Sequence, residues 1–80
     1  MTKLEVLNAV KLDLLKLADT LVSEAEGQQD IADEAVARGY SPEVVGMAKI
    51  LPMVLADYAA LVLNIHAKYE LIAKTEVCLN

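Results

Sequence analysis

The stretch LPMVLADYAALVLNIHAKYELI, residues 51–72, decides how the chain folds. Within it Leu51, Leu55, Tyr58, Val62, Ile65, Tyr69 and Ile72 recur at alternating steps of four and three, the spacing of a heptad seam on one long α-helix. At about 100° per residue, Ala56, Ala60, Leu63 and Ala67 fall in a second row, set apart from the first and made mainly of small side chains. Only a narrow strip with Asp57, Asn64, Lys68 and Thr75 reads as facing water. Two apolar rows ask for partners on two sides, so the large row is the expected core seam and the alanine row the expected interface with a second copy.

Working outward, the segment before this helix begins with Ser41 and Pro42, a side-chain cap followed by proline at the first helical position. Pro52 lies ten residues on, where a proline removes one backbone hydrogen bond and crowds the preceding turn, so a kink or break is expected near residues 49–51. Upstream, Thr2 and Glu5 form a capping-box pattern that starts a first helix. That helix carries Leu7, Val10, Leu14, Leu17 and Leu21 in one row and Leu4, Leu15, Ala18 and Val22 in another, with Lys11 as a polar intruder. Gly27 is its expected terminator, and Asp30 and Asp33 then open a short helix that ends at Gly39. Period-two alternation is absent, which argues against strands. The reading is an all-α single domain over residues 1–80: two long helices of about 24 residues each, about 36 Å, joined by two short ones and assembled as a dimeric helical bundle.

Composition supports association. Eighty residues bury only about 60% of their unfolded surface, yet 56% of this chain is hydrophobic, mean hydropathy is +0.40, and it has neither Phe nor Trp to fill a core. Spanning a membrane takes about 18 or more apolar residues, and the longest run free of formal charge, residues 58–67, is ten long. That argues against insertion, though a membrane-associated helix pair stands as a third reading. Charges recur from Lys3 through Lys16, inside what would have to be the apolar region of a secretory signal, so none is expected and the expected location is cytoplasmic. Cys78 has no second cysteine to pair with.

Residues with chemical potential are few and scattered. His66 and Glu70 are one helical turn apart, but two ligands do not close a metal site and no second histidine completes it. Cys78, His66 and Ser41 are too dispersed for a nucleophilic triad, so no catalytic residue, metal or cofactor is expected. Glu24, Glu26, Asp30, Asp33 and Glu34 form an acidic cluster with no base among its members, a candidate for docking on a basic protein surface.

Ala35, Gly39, Ser41 and Val45 are a small residue, a turn glycine, a polar residue and an apolar anchor at telling offsets. Over about twenty residues, 30–50, this resembles the helix-turn-helix DNA-binding family. The resemblance implies a DNA-binding regulator whose reading helix runs over residues 42–50. The sequence departs from that pattern at Arg38, where an apolar residue is usual, and the would-be reading helix offers the groove only Glu43 and Lys49. With net charge −5 and six acids against two bases over residues 24–50, phosphate attraction has the wrong sign. The expected function is therefore a small acidic regulatory, accessory or inhibitor protein acting by protein contact, of the kind a compact genome such as a phage or mobile element carries.

Overall fold

The structure, a computed structural model, describes the backbone of residues 2–79 and the side chains of residues 2–76. Cys78 therefore lies outside the described side chains. Two helices make up the fold, α1 (Lys3–Ala37) and α2 (Pro42–Leu79), joined by residues 38–41. They run antiparallel, with Lys3 Nζ 2.9 Å from Glu76 Oε1 at the open end, in a rod of 61 × 16 × 13 Å.

The caps form where the sequence places them. Thr2 Oγ1 accepts the Glu5 amide at 3.1 Å, and Ser41 Oγ accepts the Val44 amide at 3.3 Å. At the turn the Tyr40 amide donates to the Ala35 carbonyl and the Gly39 amide to the Val36 carbonyl, the paired bonds of a Schellman ending. Gly39 sits at φ 76°, a left-handed conformation that strains any residue with a Cβ.

The two expected short helices are absent: α1 runs unbroken through Gly27 and Asp30, and α2 unbroken through Pro52. Gly27 costs its helix about 1 kcal/mol relative to alanine, and the line of contact continues past it through Gln28, Ala32 and Ala35, which holds the next turns in register. Pro52 removes one backbone bond, yet its ring is buried against α1, where packing on both sides of it keeps the helix continuous.

The buried and half-buried residues of the two helices fall on a heptad, with two exceptions. In α1 the line is Leu4, Leu7, Lys11, Leu14, Ala18, Leu21, Ala25, Gln28, Ala32 and Ala35; in α2 it is Val45, Ala48, Pro52, Leu55, Ala59, Val62, His66, Tyr69, Ala73 and Glu76. Among the other described residues of the two helices only Val10 and Ile65 are even half-buried. Counting from the turn, Leu7 comes level with Ala73, Leu14 with His66, Leu21 with Ala59, Ala25 with Leu55 and Ala18 with Val62. A large side chain thus meets a small or compact one at most levels, which lets the helix axes approach closely.

This line corrects the phase read from the sequence. Leu55, Val62 and Tyr69 of the expected seam do lie on it, and Ile65 flanks it half-buried, but Leu51, Tyr58 and Ile72 stand 47%, 56% and 45% exposed. In their place the contact uses Pro52, Ala59, His66 and Ala73, one residue further on. The leucines of α1 explain the choice: Leu7, Leu14 and Leu21 already fill their layers, and Tyr58 or Ile72 facing them would overpack the seam. In α1, likewise, Val10 is only half-buried and Leu17 is exposed.

The corner differs from a helix-turn-helix as well. In that motif two helices cross at roughly 90–120°, whereas residues 35–45 here form a tight hairpin between helices that lie side by side over their whole length.

Candidate protein-contact surface

The core is thin. Its buried apolar residues are Leu7, Ala18, Ala32, Ala59, Val62 and Ala73, four of the six being alanine, and Pro52 is buried beside them. Nineteen large apolar side chains among the described residues are exposed. A compact protein of 8.7 kDa exposes about 4,700 Å² by the usual size scaling, while this chain exposes 5827 Å². The excess of about 1,100 Å² follows from the rod shape, whose radius of gyration of 18.1 Å compares with about 12 Å for a compact chain of this length.

The exposed apolar surface lies on two flanks of the hairpin. On one, Ala56, Ala60, Leu63 and Ala67 stand open to solvent beside Met53 and, across the groove, Val22. The groove between the helices there has a volume of about 580 Å³; Ala25, Pro52 and Ala59 form its floor and Glu26, Gln29 and Lys49 its polar edge. The alanine row therefore sits where the sequence places it, off the intramolecular seam. The other flank carries Val44, Leu51, Tyr58 and Ile72 from α2 and Leu17 and Ile31 from α1, with Met47, Val54 and Leu61 beside them. A shallow depression of about 260 Å³ opens there between Val54, Asp57, Tyr58 and Leu61.

Charge divides along the rod. The half nearest the turn, residues 20–60, has seven acids (Glu24, Glu26, Asp30, Asp33, Glu34, Glu43, Asp57) against two bases (Arg38, Lys49). The half at the open end has five acids against five lysines, so the whole net charge of −5 belongs to the turn half. All five members of the acidic cluster are exposed on α1. Two are tied down locally: Arg38 Nε donates to Glu34 Oε1 at 2.8 Å, and Gln29 Nε2 donates to Asp33 Oδ1 at 3.0 Å. The others are open to an incoming cationic surface.

Among the described residues no group of three His, Cys, Asp or Glu side chains could hold a metal ion. His66 is half-buried on the seam, level with Leu14, and Glu70 is exposed outside it. The region 42–76 of α2 contains an 18-residue window of mean hydropathy 1.6, long and apolar enough to cross a membrane, of which 11% is buried against α1. Asp57, Lys49 and Pro52, which interrupt the apolar run in the sequence, do not bring the helix below that mark.

The contact residues that the sequence reading passes over include Ala25, Ala32, Ala59 and Ala73. Their signal is present, since Ala18, Ala25 and Ala32 recur every seven residues and Ala59 and Ala73 stand fourteen apart, but bulk in the neighbouring rows outweighs it. No protein-family model matches this chain, and no curated protein or solved structure is significantly similar to it.

Proposed function

We propose that this protein is a small regulatory, accessory or inhibitor factor that acts in the cytoplasm by protein contact, and that its hairpin completes its fold by associating with a second copy. One observation carries the reading: among the described residues the seam buries six apolar side chains, four of them alanine, while nineteen large apolar ones stay in water. Full burial of a single Leu, Ile or Val is worth about 1.5–3 kcal/mol, so the larger reserve of hydrophobic stabilisation lies outside the subunit. The acidic turn end supports the second half of the proposal. It stands at the far end of the rod from Lys3, Lys11, Lys16, Lys68 and Lys74, and suits a basic protein surface, whose encounter rate it would raise.

A second copy has two flanks of α2 to choose from, the alanine row Ala56, Ala60, Leu63 and Ala67, or the row with Leu51, Tyr58 and Ile72. Light scattering across a dilution series, paired with thermal melts at each concentration, tests the reading. Twice the subunit mass and a melting temperature that rises with concentration are expected. A well-folded single copy at micromolar concentration, melting independently of concentration, would overturn it.

A second reading, a membrane-associated helix pair, draws support from the apolar window in α2. Co-sedimentation with lipid vesicles separates it from the first.

A further inference from the structure

We propose that the second copy packs antiparallel on the outward flank of α2 formed by Leu51, Val54, Tyr58, Leu61, Ile65 and Ile72, with Asp57 of each subunit reaching Lys68 of the other. This rests on the self-association proposed above and adds the face, the orientation and the ion pairs that fix it.

Charge distinguishes the two flanks. On the alanine side, Lys49, Glu70 and Lys74 of α2 and Asp19, Glu26 and Gln29 of α1 would all have to be desolvated or paired. On the opposite side the apolar row of α2 is continuous from Val44 to Ile72; its charged neighbours on α2 are Asp57 and Lys68, and at the turn end α1 adds Glu34 and Arg38, which already pair with each other at 2.8 Å. Asp57 and Lys68 are both exposed, and among the described residues neither forms an ion pair within the subunit. They are eleven residues apart, about 16 Å along the axis, too far to pair on their own helix.

That separation selects the orientation. Two copies side by side and pointing the same way would set Asp57 against Asp57 and Lys68 against Lys68. Turned end for end about a twofold axis level with Val62 and Leu63, each Asp57 comes level with the other subunit's Lys68, and the two pairs flank Leu61 and Ile65 symmetrically. An isologous interface requires such reciprocity. The rod as a whole favours the same arrangement, because the turn half that holds all of the −5 charge then lies over the half with five lysines instead of over its own equivalent.

A stable dimer of standard size takes about 800 Å² from each partner, and this flank offers Leu51, Val54, Tyr58, Leu61 and Ile72, each 40–56% exposed, along a rod 61 Å long. Tyr58 suits the centre of such a face, since its ring contributes apolar area while its hydroxyl stays near the rim.

The test is a charge swap read by sedimentation equilibrium. Asp57→Lys alone and Lys68→Asp alone should each weaken the dimer by about tenfold, because each change turns two attractive pairs into two repulsive ones. The double variant should recover to within about threefold of the parent. Both positions are exposed, so helicity by circular dichroism at high concentration should match the parent throughout. Leu61→Glu should dissociate the dimer and Ala60→Glu should not. A dimer that ignores both single swaps, or is split by Ala60→Glu and not by Leu61→Glu, overturns this interface while leaving self-association standing. If the parent is a single copy, and phosphatidylcholine vesicles pull it down unless Leu61 is changed to Glu, the occupant of this flank is lipid and both proposals fail.

Discussion

Ala59 and Ala60 are chemically identical neighbours on α2 with opposite surroundings. Ala59 is 3% exposed on the seam, level with Leu21, while Ala60 faces outward. Ala59→Leu adds three carbons to a layer already filled by a leucine, and overpacking of that kind costs about 1–3 kcal/mol. Ala60→Leu carries the same small change in helix propensity without the crowding, so its effect should stay within about 0.5 kcal/mol. Taking the difference between the two cancels propensity and leaves packing alone. Urea unfolding at one fixed protein concentration reads it directly: with a slope near 1 kcal/mol/M for so small a chain, the Ala59→Leu midpoint should fall by about 1–3 M. The reasoning fails if the two substitutions shift the midpoint equally. It fails more deeply if Ala59→Leu raises stability, since three added carbons could contribute about 2.4 kcal/mol were the helices free to move apart and accept them.

Other substitutions probe the remaining backbone arguments. Gly39→Ala should destabilise by about 1–2 kcal/mol in the same assay, wholly through its left-handed backbone, since no atom lies within 4 Å of the added Cβ. Gly27→Ala should do the reverse, raising stability by about 0.5–1 kcal/mol and the melting temperature by several degrees, because the position is exposed, helical and open. Lys3→Ala removes the 2.9 Å bridge to Glu76, yet with the lysine side chain 72% exposed the cost should stay below about 1 kcal/mol and shrink further in added salt.

The all-helical class, both N-terminal caps and the helix end at Gly39 were legible because each depends on a few adjacent residues. Thr2 reaches the Glu5 amide and Ser41 the Val44 amide whatever the rest of the chain does. The breaks expected at Gly27 and Pro52 misled for the opposite reason: a local penalty of one to a few kcal/mol is outweighed when twenty seam positions run past it in register. The phase of the seam was the hardest feature to read. Leu55, Val62 and Tyr69 belong to the expected line and the observed one alike, so the choice lay between Leu51, Tyr58 and Ile72 on one side and Pro52, Ala59 and Ala73 on the other. Hydrophobic weight favours the first set, whereas fit against Leu7, Leu14 and Leu21 favours the second, and fit depends on residues about 40 to 65 positions away along the chain. The alanine row's place off the seam was legible from helical spacing alone, whereas the expectation that a second copy packs on that row rests on spacing only and is decided by comparing Ala60→Glu with Leu61→Glu.

The hairpin brings Lys3 beside Glu76, so α1 begins and α2 ends at one pole while the loop occupies the other. Copies fused in tandem through a five-residue tether, at most about 18 Å when taut, could sit side by side only with their poles aligned. Inverted neighbours would need a tether as long as the rod itself, so linker length alone would reveal how the molecules lie.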